Sequence, residues 1–350
     1  MLDFTSSLYL GFRHPSHALE PWEQLTLGKP AALGTPRRSA AIADALAALT
    51  GCERATLLPS TLHLFFDLFE VLRRDGIRLY LDAAAYPMLR WGCERAAAQG
   101  VPVRRFPHND AATVARMVAE DARSGLIPII VADGFCPLCG RAAPLRHYLE
   151  IVEPYGGYVV IDDTQALGIW GKAPGARFPY GLGGGGSLRG HAIASPRIIV
   201  GSSLAKAFGV PLAALAGNAR LIDHFADNSE TRVHASPPSI ADLHAAEHAL
   251  RLNATHGDAA RDRLARLIAH FRRRVRALGL RAPRSLFPVQ ALDLGADAVR
   301  VHSALREAGV ATAVVLACDG RAPRLVFVIS AAHTMDDLDQ AAIALRSALR

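Results

Sequence analysis

The chain has 350 residues, of which 51% are hydrophobic and 20% are charged, and its formal net charge is +7. This composition is typical of a globular protein with room for two domains, and it excludes a mini-protein. No apolar run reaches the ~18 residues of a membrane span, and the start, MLDFTSSLYLGF, lacks the basic region of a signal peptide. We therefore expect a cytoplasmic protein with no membrane partner.

The positive net charge could favour binding of nucleic acid, a membrane surface or an acidic small molecule. The densest arginine run, residues 270–284, interleaves charge with Phe, Val and Leu at helical spacing. Such a pattern is typical of the solvated face of an amphipathic helix. We therefore expect no nucleic-acid partner.

Four short apolar runs, at residues 77–82, 126–133, 158–163 and 197–202, are separated by segments long enough for helices. This alternation predicts an α/β fold with a mostly parallel, doubly wound sheet. Ligands of such sheets bind beyond the carboxyl ends of the strands. The polar residues at these ends are Asp82, Asp133, Asp162, Asp163, Ser202 and Ser203.

The pattern changes after about residue 240. Two long helices are predicted at 240–252 and 258–279, and two isolated strands at 287–294 and 324–330. This arrangement indicates a second, smaller α+β domain.

We therefore divide the chain into three parts: an N-terminal segment (1–35) that packs with the small domain, a large α/β domain (36–240) and the small domain (241–350). The glycine-rich stretch at 180–192 is predicted to be a flexible loop. Its glycines are a weak signal for phosphate binding, because no G-x-G-x-x-G pattern follows a strand and opens a helix.

The chain has five cysteines, of which Cys136 and Cys139 have C-x-x-C spacing. This spacing allows a zinc or redox site, but a zinc site needs about four ligands. The sequence offers no second cysteine pair or H-x-H set near this one. We therefore expect reduced thiols and no metal site.

Lysine is rare in this chain. The 39 lysines and arginines include only three lysines, which are Lys29, Lys172 and Lys206. Arginine supplies a permanent charge but cannot lose its proton, so it cannot replace an amine nucleophile. Lys206, in GSSLAKAFG just after a predicted strand, is therefore the candidate nucleophile.

Three segments together resemble a known family. They are ATLLPSTLHLFFDLFEVL (55–72), YGGYVVIDDTQALGIWG (155–171) and IIVGSSLAKAFGVPLAALAG (198–217). The set resembles the pyridoxal 5'-phosphate (PLP) enzymes of fold type I, and among them the α-oxoamine synthases typified by 8-amino-7-oxononanoate synthase. The resemblance extends from LDFTSSLYLGF near the start to RLVFVISAAHTMDDLD near the end.

The resemblance implies PLP as cofactor and assigns roles to the residues of these segments. Lys206 would form a Schiff base with the cofactor aldehyde, which requires a deprotonated amine. Asp162 would keep the pyridine nitrogen protonated, so that the ring accepts electrons from a substrate carbanion. The phosphate would be held by Ser60, Thr61 and Ser203, the first two at a helix N-terminus.

Other positions depart from the family pattern. Tyr86 stands where the family has a histidine stacked on the cofactor, and a phenol ring can also stack. Gln165 replaces a histidine near the cofactor phenolate and can donate a hydrogen bond without carrying charge. Asp133 replaces a glutamate, and Ser7 replaces an asparagine that is expected near the substrate.

The substrate side of the site is altered most. Val326 stands where the family has the arginine that binds the substrate carboxylate. Either Arg324, two residues earlier, or an arginine from elsewhere binds that carboxylate, or the substrate lacks a free α-carboxylate. Family members are homodimers, and a hydroxyl from the partner chain reaches the site from a turn that is HASPP here. His234 and Ser236 are the candidates, and Ser236 supplies a hydroxyl.

The family implies condensation of an amino acid with an acyl thioester on coenzyme A or a carrier protein, and the net charge suits such anionic donors. A second possibility is transamination or another PLP reaction, since Tyr86 and Gln165 differ from the condensing pattern. A third is a degenerate domain without turnover. The presence of both Lys206 and Asp162 argues against the third.

Overall fold

The chain is described by a computed structural model that covers residues 1–281, 283–318, 320 and 322–350. Its α-helices are α1 (Arg38–Thr50), α2 (Thr61–Arg73), α3 (Pro87–Ala98), α4 (Ala111–Asp121), α5 (Leu145–Val152), α6 (Ser187–Gly190), α7 (Ala219–Asn228), α8 (Glu230–His234), α9 (Ile240–Ala277), α10 (Asp297–Glu307) and α11 (Met335–Ala348). Within the described ranges, no helix combines the length and apolar character required to cross a membrane.

The strands form one large sheet and three small ones. They are β1 (Leu2–Asp3), β2 (Arg54–Leu58), β3 (Ile77–Asp82), β4 (Val103–Phe106), β5 (Ile127–Asp133), β6 (Phe135–Cys136), β7 (Arg141–Ala142), β8 (Tyr158–Asp162), β9 (Ile198–Ser203), β10 (Ala213–Gly217), β11 (Val289–Leu292), β12 (Val310–Ala311), β13 (Ala313–Leu316) and β14 (Pro323–Val328). The large sheet has the order β2-β10-β9-β8-β5-β3-β4, and a three-stranded sheet has the order β11-β14-β13.

The large sheet is mostly parallel and is covered on both faces. Only β10 runs antiparallel to its neighbours β2 and β9. Side chains alternate between the faces of a strand; in β8, Val159 and Ile161 pack in one core with α1, α4, α5 and α9, and Val160 packs in another with α2, α3 and α7. These apolar strands need no polar face, and the predicted doubly wound α/β fold is confirmed.

The carboxyl ends of the central strands meet at one edge of the sheet. Asp133 at the end of β5 pairs in register with Asp162 at the end of β8, and Asp162 pairs with Gly201 of β9. Asp82 ends β3, the next strand beyond β5. The predicted convergence of polar strand ends is therefore present in the fold.

The two helices predicted after residue 240 form a single helix, so the boundary between them is wrong. Helix α9 is capped by Ser239, whose hydroxyl accepts from the amide of Asp242, and it runs through Gly257 without a break. The absence of a side chain at Gly257 leaves room for Arg261, which is only 2% exposed. The guanidinium of Arg261 donates to Asn253 Oδ1 at 2.8 Å and to the carbonyl of Gly168 at 2.8 Å.

The arginine-rich run lies partly in α9 and has the predicted amphipathic character. Phe271 and Val275 are buried, and Arg273, Arg274 and Arg276 are exposed. Ala282, which belongs to the same run, lies outside the described residues.

The N-terminal segment packs against the C-terminal part of the chain. Strand β1 pairs in parallel with β12, and the ring of Phe4 stacks on His333 with 4.6 Å between centroids. These contacts support the three-part division at residues 35 and 240, which stays a prediction.

The glycine of α9 generates a prediction on stability. A Cβ at residue 257 would lie 2.5 Å from Asn253 Oδ1 and 2.8 Å from Arg261 Nη2. Helix propensity favours alanine over glycine by about 1 kcal/mol, but overpacking costs about 1–3 kcal/mol. We therefore expect Gly257→Ala to lower the urea midpoint, because neither polar group can move away without losing its buried partners.

The matched control is Thr255→Ala at an exposed position two residues earlier. This change adds no atoms and is expected to leave the midpoint unchanged or to raise it. A rise in the midpoint for Gly257→Ala would contradict the packing described here.

Candidate active site

The candidate site lies at the edge of the large sheet where the strand ends meet. Leu58 at the end of β2 and Ser203 at the end of β9 both pair with Ala213 of the antiparallel strand between them. The segment that leads from β2 into α2 therefore emerges at the same edge as the segment that follows β9. The topology thus brings together two of the three sequence segments that carried the family resemblance, and β8 adds the third.

Lys206 lies in the turn that follows β9 and is half-buried. Burial lowers the pKa of its amine, and the nearby Asp162 opposes this effect. A lowered pKa increases the fraction of neutral amine, which is the nucleophilic form. The environment of Lys206 therefore suits the role that the sequence predicts for it.

Asp162 is a buried carboxylate, 5% exposed, at the end of β8. Burial raises its pKa, while hydrogen bonds from Thr164 and the charge of Lys206 lower it. The Thr164 amide donates to Asp162 Oδ1 at 3.0 Å. A carboxylate buried with so few donors gains free energy from a further cationic partner, and the protonated nitrogen of an aromatic ring fits this need.

Asp163, the next residue, has a different task. Its carboxylate accepts from the Ser187 amide at 2.8 Å and from the Ser187 hydroxyl at 2.5 Å. Burial raises the pKa of Asp163 to about 7, and the charge of Asp162 contributes to the rise. Asp163 thus holds the glycine-rich stretch in place. The sequence predicted a flexible loop at this stretch and gave no sign of these hydrogen bonds.

The glycine-rich stretch is also bonded to α9. The amide of Gly183 donates to Asp258 Oδ1 at 2.9 Å, and its carbonyl accepts from Asn253 Nδ2 at 2.9 Å. Residues 184–188 are buried. The loop is therefore part of the packed structure behind the site.

The N-terminus of α2 offers a place for an anion. Ser60 is the N-cap residue and has an extended backbone, Thr61 is the first helical residue, and no side chain caps the helix among the described residues. Free amides and the helix dipole at such a terminus favour a phosphate. The Ser60 hydroxyl lies 2.9 Å from His63 Nδ1.

Ser203 joins this region from β9. Its amide donates to the hydroxyl of Thr164 at 2.9 Å, which links the ends of β9 and β8. Its own hydroxyl accepts from the Ala205 amide at 3.2 Å, in the turn that carries Lys206. Ser203 is half-buried, as are Ser60 and Thr61.

Gln165 is held by a residue that the sequence analysis missed. The fully buried Tyr9 donates from its phenol to Gln165 Oε1 at 2.7 Å. The amide nitrogen of Gln165 is thereby presented as a donor, the function predicted for this side chain. Burial raises the pKa of the Tyr9 phenol, and the nearby Ser7 side chain opposes this effect. The signal for Tyr9 was its place in the N-terminal motif SSLYLG.

Tyr86 and Asp133 contact each other at the next strand end. The Tyr86 amide donates to Asp133 Oδ1 at 3.1 Å, immediately before α3. Burial and the charge of Asp162 raise the pKa of Asp133. The Tyr86 side chain is 49% exposed, so its ring has a free face for stacking.

The residues predicted for the substrate side are less clearly assembled. Arg324 forms an ion pair with Asp293, and Val326 is 4% exposed between Ala291 and Ala313 in the three-stranded sheet. A substrate carboxylate at Arg324 would compete with Asp293.

Ser236 lies in the loop between α8 and α9. It lines a small cleft together with Pro59 and His63 of its own chain. His63 also contacts Ser60, so this cleft adjoins the N-terminus of α2.

Comparison with known proteins agrees with this geometry. The sequence pattern of the family "aminotransferase class I and II" matches residues 1–345. The 8-amino-7-oxononanoate synthase of Alcanivorax borkumensis is 29% identical over 359 residues, which covers 98% of this chain and 88% of that protein. The enzyme of the same name from Alkalilimnicola ehrlichii is 30% identical over 315 residues, covering 88% and 76%.

A solved structure supports the fold. The serine palmitoyltransferase of S. paucimobilis, solved with bound PLP and myriocin, superposes with a TM-score of 0.86 at 18% identity and covers 99% of this chain and 86% of that one. The resemblance read from the sequence motifs is confirmed. The chain belongs to the class I and II aminotransferase family and, within it, to the α-oxoamine synthases.

Proposed function

We propose that this chain is a PLP-dependent acyltransferase that condenses an amino acid with an acyl thioester. The observation that carries the proposal is the pair formed by Lys206, whose pKa burial lowers, and the buried Asp162 at the carboxyl edge of the sheet. The relationship to 8-amino-7-oxononanoate synthases, which covers 98% of this chain and 88% of one such protein, supports the same reaction class.

The described residues fit PLP at both ends of the cofactor. Asp162 would hold the ring nitrogen, and Lys206 would hold the aldehyde carbon. Ser60, Thr61 and Ser203 would bind the phosphate beside the uncapped N-terminus of α2.

Side chains around the ring would complete the binding. The exposed ring of Tyr86 would stack on the cofactor. The carboxylate of Asp133 would hold Tyr86 in place by accepting from the Tyr86 backbone amide. Gln165, oriented by Tyr9, would donate to the phenolate oxygen. Ser236 of a partner chain would reach the phosphate in a homodimer.

Bound PLP supplies an electron sink for the carbanion that forms at the α-carbon of the amino acid. Asp162 favours this chemistry because its negative charge keeps a proton on the ring nitrogen. Lys206 would take and return protons at the substrate carbon, and its lowered pKa suits that task.

The acyl donor is an anionic thioester on coenzyme A or a carrier protein, in line with the net charge of +7. The reaction would join the α-carbon of the amino acid to the acyl carbon and release carbon dioxide and the free thiol. A cytoplasmic location is part of the proposal.

A direct assay distinguishes condensation from transamination. The PLP-loaded protein is incubated with small amino acids and acyl thioesters, and thiol and carbon dioxide are measured together. Equal release of both supports condensation. Conversion of the cofactor to its amine form with no thiol release would assign the aminotransferase reaction instead.

Lys206 is expected to be the one lysine that holds the cofactor. Borohydride reduction of the PLP-loaded protein followed by peptide mass spectrometry should find the cofactor mass on Lys206 and on neither Lys29 nor Lys172. Lys206→Arg should keep the fold and lose the covalent adduct, because arginine stays protonated. Lys172→Arg is the control and should keep the adduct; labelling of Lys172 in the wild type would sink the assignment.

Asp162 is expected to support chemistry and not folding. Asp162→Asn should retain the Thr164 hydrogen bond and keep the fold, since the amide has the same shape and keeps an acceptor oxygen. Activity should fall by about 10- to 100-fold, the equivalent of a hydrogen bond to a charged group.

Asp163→Asn is the matched control for this experiment. Its neighbour Ser187 can still exchange hydrogen bonds with an amide, so turnover should change less than in Asp162→Asn. Equal loss of turnover in the two variants, or none in Asp162→Asn, would contradict the assignment.

The ion pair of Arg324 generates a prediction on substrate binding. If Arg324 binds the substrate carboxylate, Asp293→Asn frees it and should tighten amino-acid binding by roughly tenfold, and Arg324→Ala should weaken it by a similar factor. Spectral titration of the PLP-loaded protein with glycine, L-alanine and L-serine measures both effects.

Amines without a carboxylate are the control ligands, and their binding should not respond to either variant. If both variants alter the unfolding temperature but leave amino-acid binding unchanged, the role of Arg324 is structural. Tight amino-acid binding in Arg324→Ala would show that Arg324 does not replace the family's carboxylate-binding arginine, whose position Val326 occupies.

A further inference from the structure

Three cysteines and a histidine come together beside the candidate active site. They are His108, Cys136, Cys139 and Cys318, and one ligand-type atom from each lies within 4.8 Å of all the others. Cys136 Sγ is 3.1 Å from Cys318 Sγ, and His108 Nε2 is 3.3 Å from Cys139 Sγ. None of these cysteines is in a disulfide.

The four side chains come from three distant parts of the sequence. His108 lies between β4 and α4, Cys136 and Cys139 lie in the hairpin of β6 and β7, and Cys318 lies between β13 and β14. The C-x-x-C pair therefore gains the two ligands whose lack argued against a zinc site in the sequence. Neither could be found by spacing, because only the fold places them beside the pair.

The histidine is oriented by a buried carboxylate. His108 Nδ1 lies 3.0 Å from Oδ1 of Asp82, which is 2% exposed. Asp82 is itself fixed by the amides of Ala84 and Asn109, both at 2.8 Å. A hydrogen donated from Nδ1 to Asp82 leaves the lone pair on Nε2, the nitrogen that faces the sulfurs. A carboxylate behind a histidine in this way is the usual support of a metal-bound imidazole.

The distances match one metal ion. Tetrahedral coordination with Zn–S near 2.3 Å and Zn–N near 2.0–2.1 Å separates the ligand atoms by about 3.5–3.8 Å. Separations of 3.1 Å to at most 4.8 Å bracket this value, so shifts of about 1 Å or less bring all four atoms to the ion. Three sulfurs and one imidazole favour zinc, and four protein ligands are typical of a closed structural site.

We propose that His108, Cys136, Cys139 and Cys318 bind one structural zinc ion. Binding displaces the protons of the three thiols, and the guanidinium of Arg141 beside Cys139 offsets part of the resulting negative charge. The ion joins the C-terminal three-stranded sheet, through Cys318, to the hairpin that begins two residues after Asp133. It therefore holds the C-terminal sheet against the edge where the candidate active site lies.

The experiment measures zinc in the full-length protein purified under reducing conditions with zinc in the growth medium. After dialysis against metal-free buffer, elemental analysis should find about one zinc per chain. Cys136→Ser and Cys318→Ser should each retain less than about a tenth of this amount, since three ligands no longer close the site. Cys52→Ser and Cys93→Ser, which change the two cysteines outside the cluster, should retain it all.

A second measurement uses the wild type, in case the cysteine variants do not fold. Protein stripped of zinc and loaded with Co²⁺ should show the intense visible absorption of a tetrahedral thiolate site. Asp82→Asn should weaken Zn²⁺ binding by about 10- to 100-fold in a chelator competition while leaving the circular dichroism unchanged.

Three results would each overturn the proposal. One is a wild-type protein that holds no zinc and gives no cobalt spectrum after metal is supplied. Another is a disulfide between Cys136 and Cys318 found by mass spectrometry of the protein as purified under reducing conditions. Full zinc content in Cys318→Ser would likewise show that the metal binds elsewhere.

Discussion

The site depends on a carboxylate buried beside an amine at the end of a parallel sheet. Asp162 is 5% exposed, and burial raises its pKa while it lowers the pKa of Lys206. Each group makes the other less costly to bury, and a cationic ring nitrogen would add a further partner for the carboxylate. The surrounding elements serve this pair: β8 and β9 place it, Thr164 joins their ends, and Asp163 uses its own carboxylate to hold the loop behind it.

Most of the large sheet could be predicted because its strands are apolar on both faces. Residues 77–82 were predicted as a strand and form β3 with the same bounds. Strand β10, AALAG, was missed because its alanines and glycine have little strand propensity, and its place in the sheet depends on pairing with β2 and β9. The helix break near Gly257 was wrong because the glycine makes room for Arg261, whose guanidinium reaches the carbonyl of Gly168 in a distant part of the chain.

The candidate site likewise contains some residues that the sequence could reveal and others that it could not. Lys206 could be predicted because arginine cannot act as an amine nucleophile. Asp162 could be predicted because a carboxylate at the end of a buried strand is costly without a partner. Tyr9 could not be found as the partner of Gln165, since the two are separated by 156 residues, and the ion pair of Arg324 with Asp293 crosses between strands. The zinc ligands are the extreme case: the hairpin supplies half of the set, and sequence spacing carries no information on the other half.

The central claim is that the carboxyl edge of the sheet binds PLP through Lys206, Asp162 and the start of α2. A crystal structure of the full-length protein with PLP tests it most directly. We expect a covalent bond from Lys206 Nζ to the cofactor, the ring nitrogen within hydrogen-bond distance of Asp162, and the phosphate at the amides of the first turn of α2. A cofactor attached to another lysine, or a phosphate held away from Ser60 and Thr61, would contradict it.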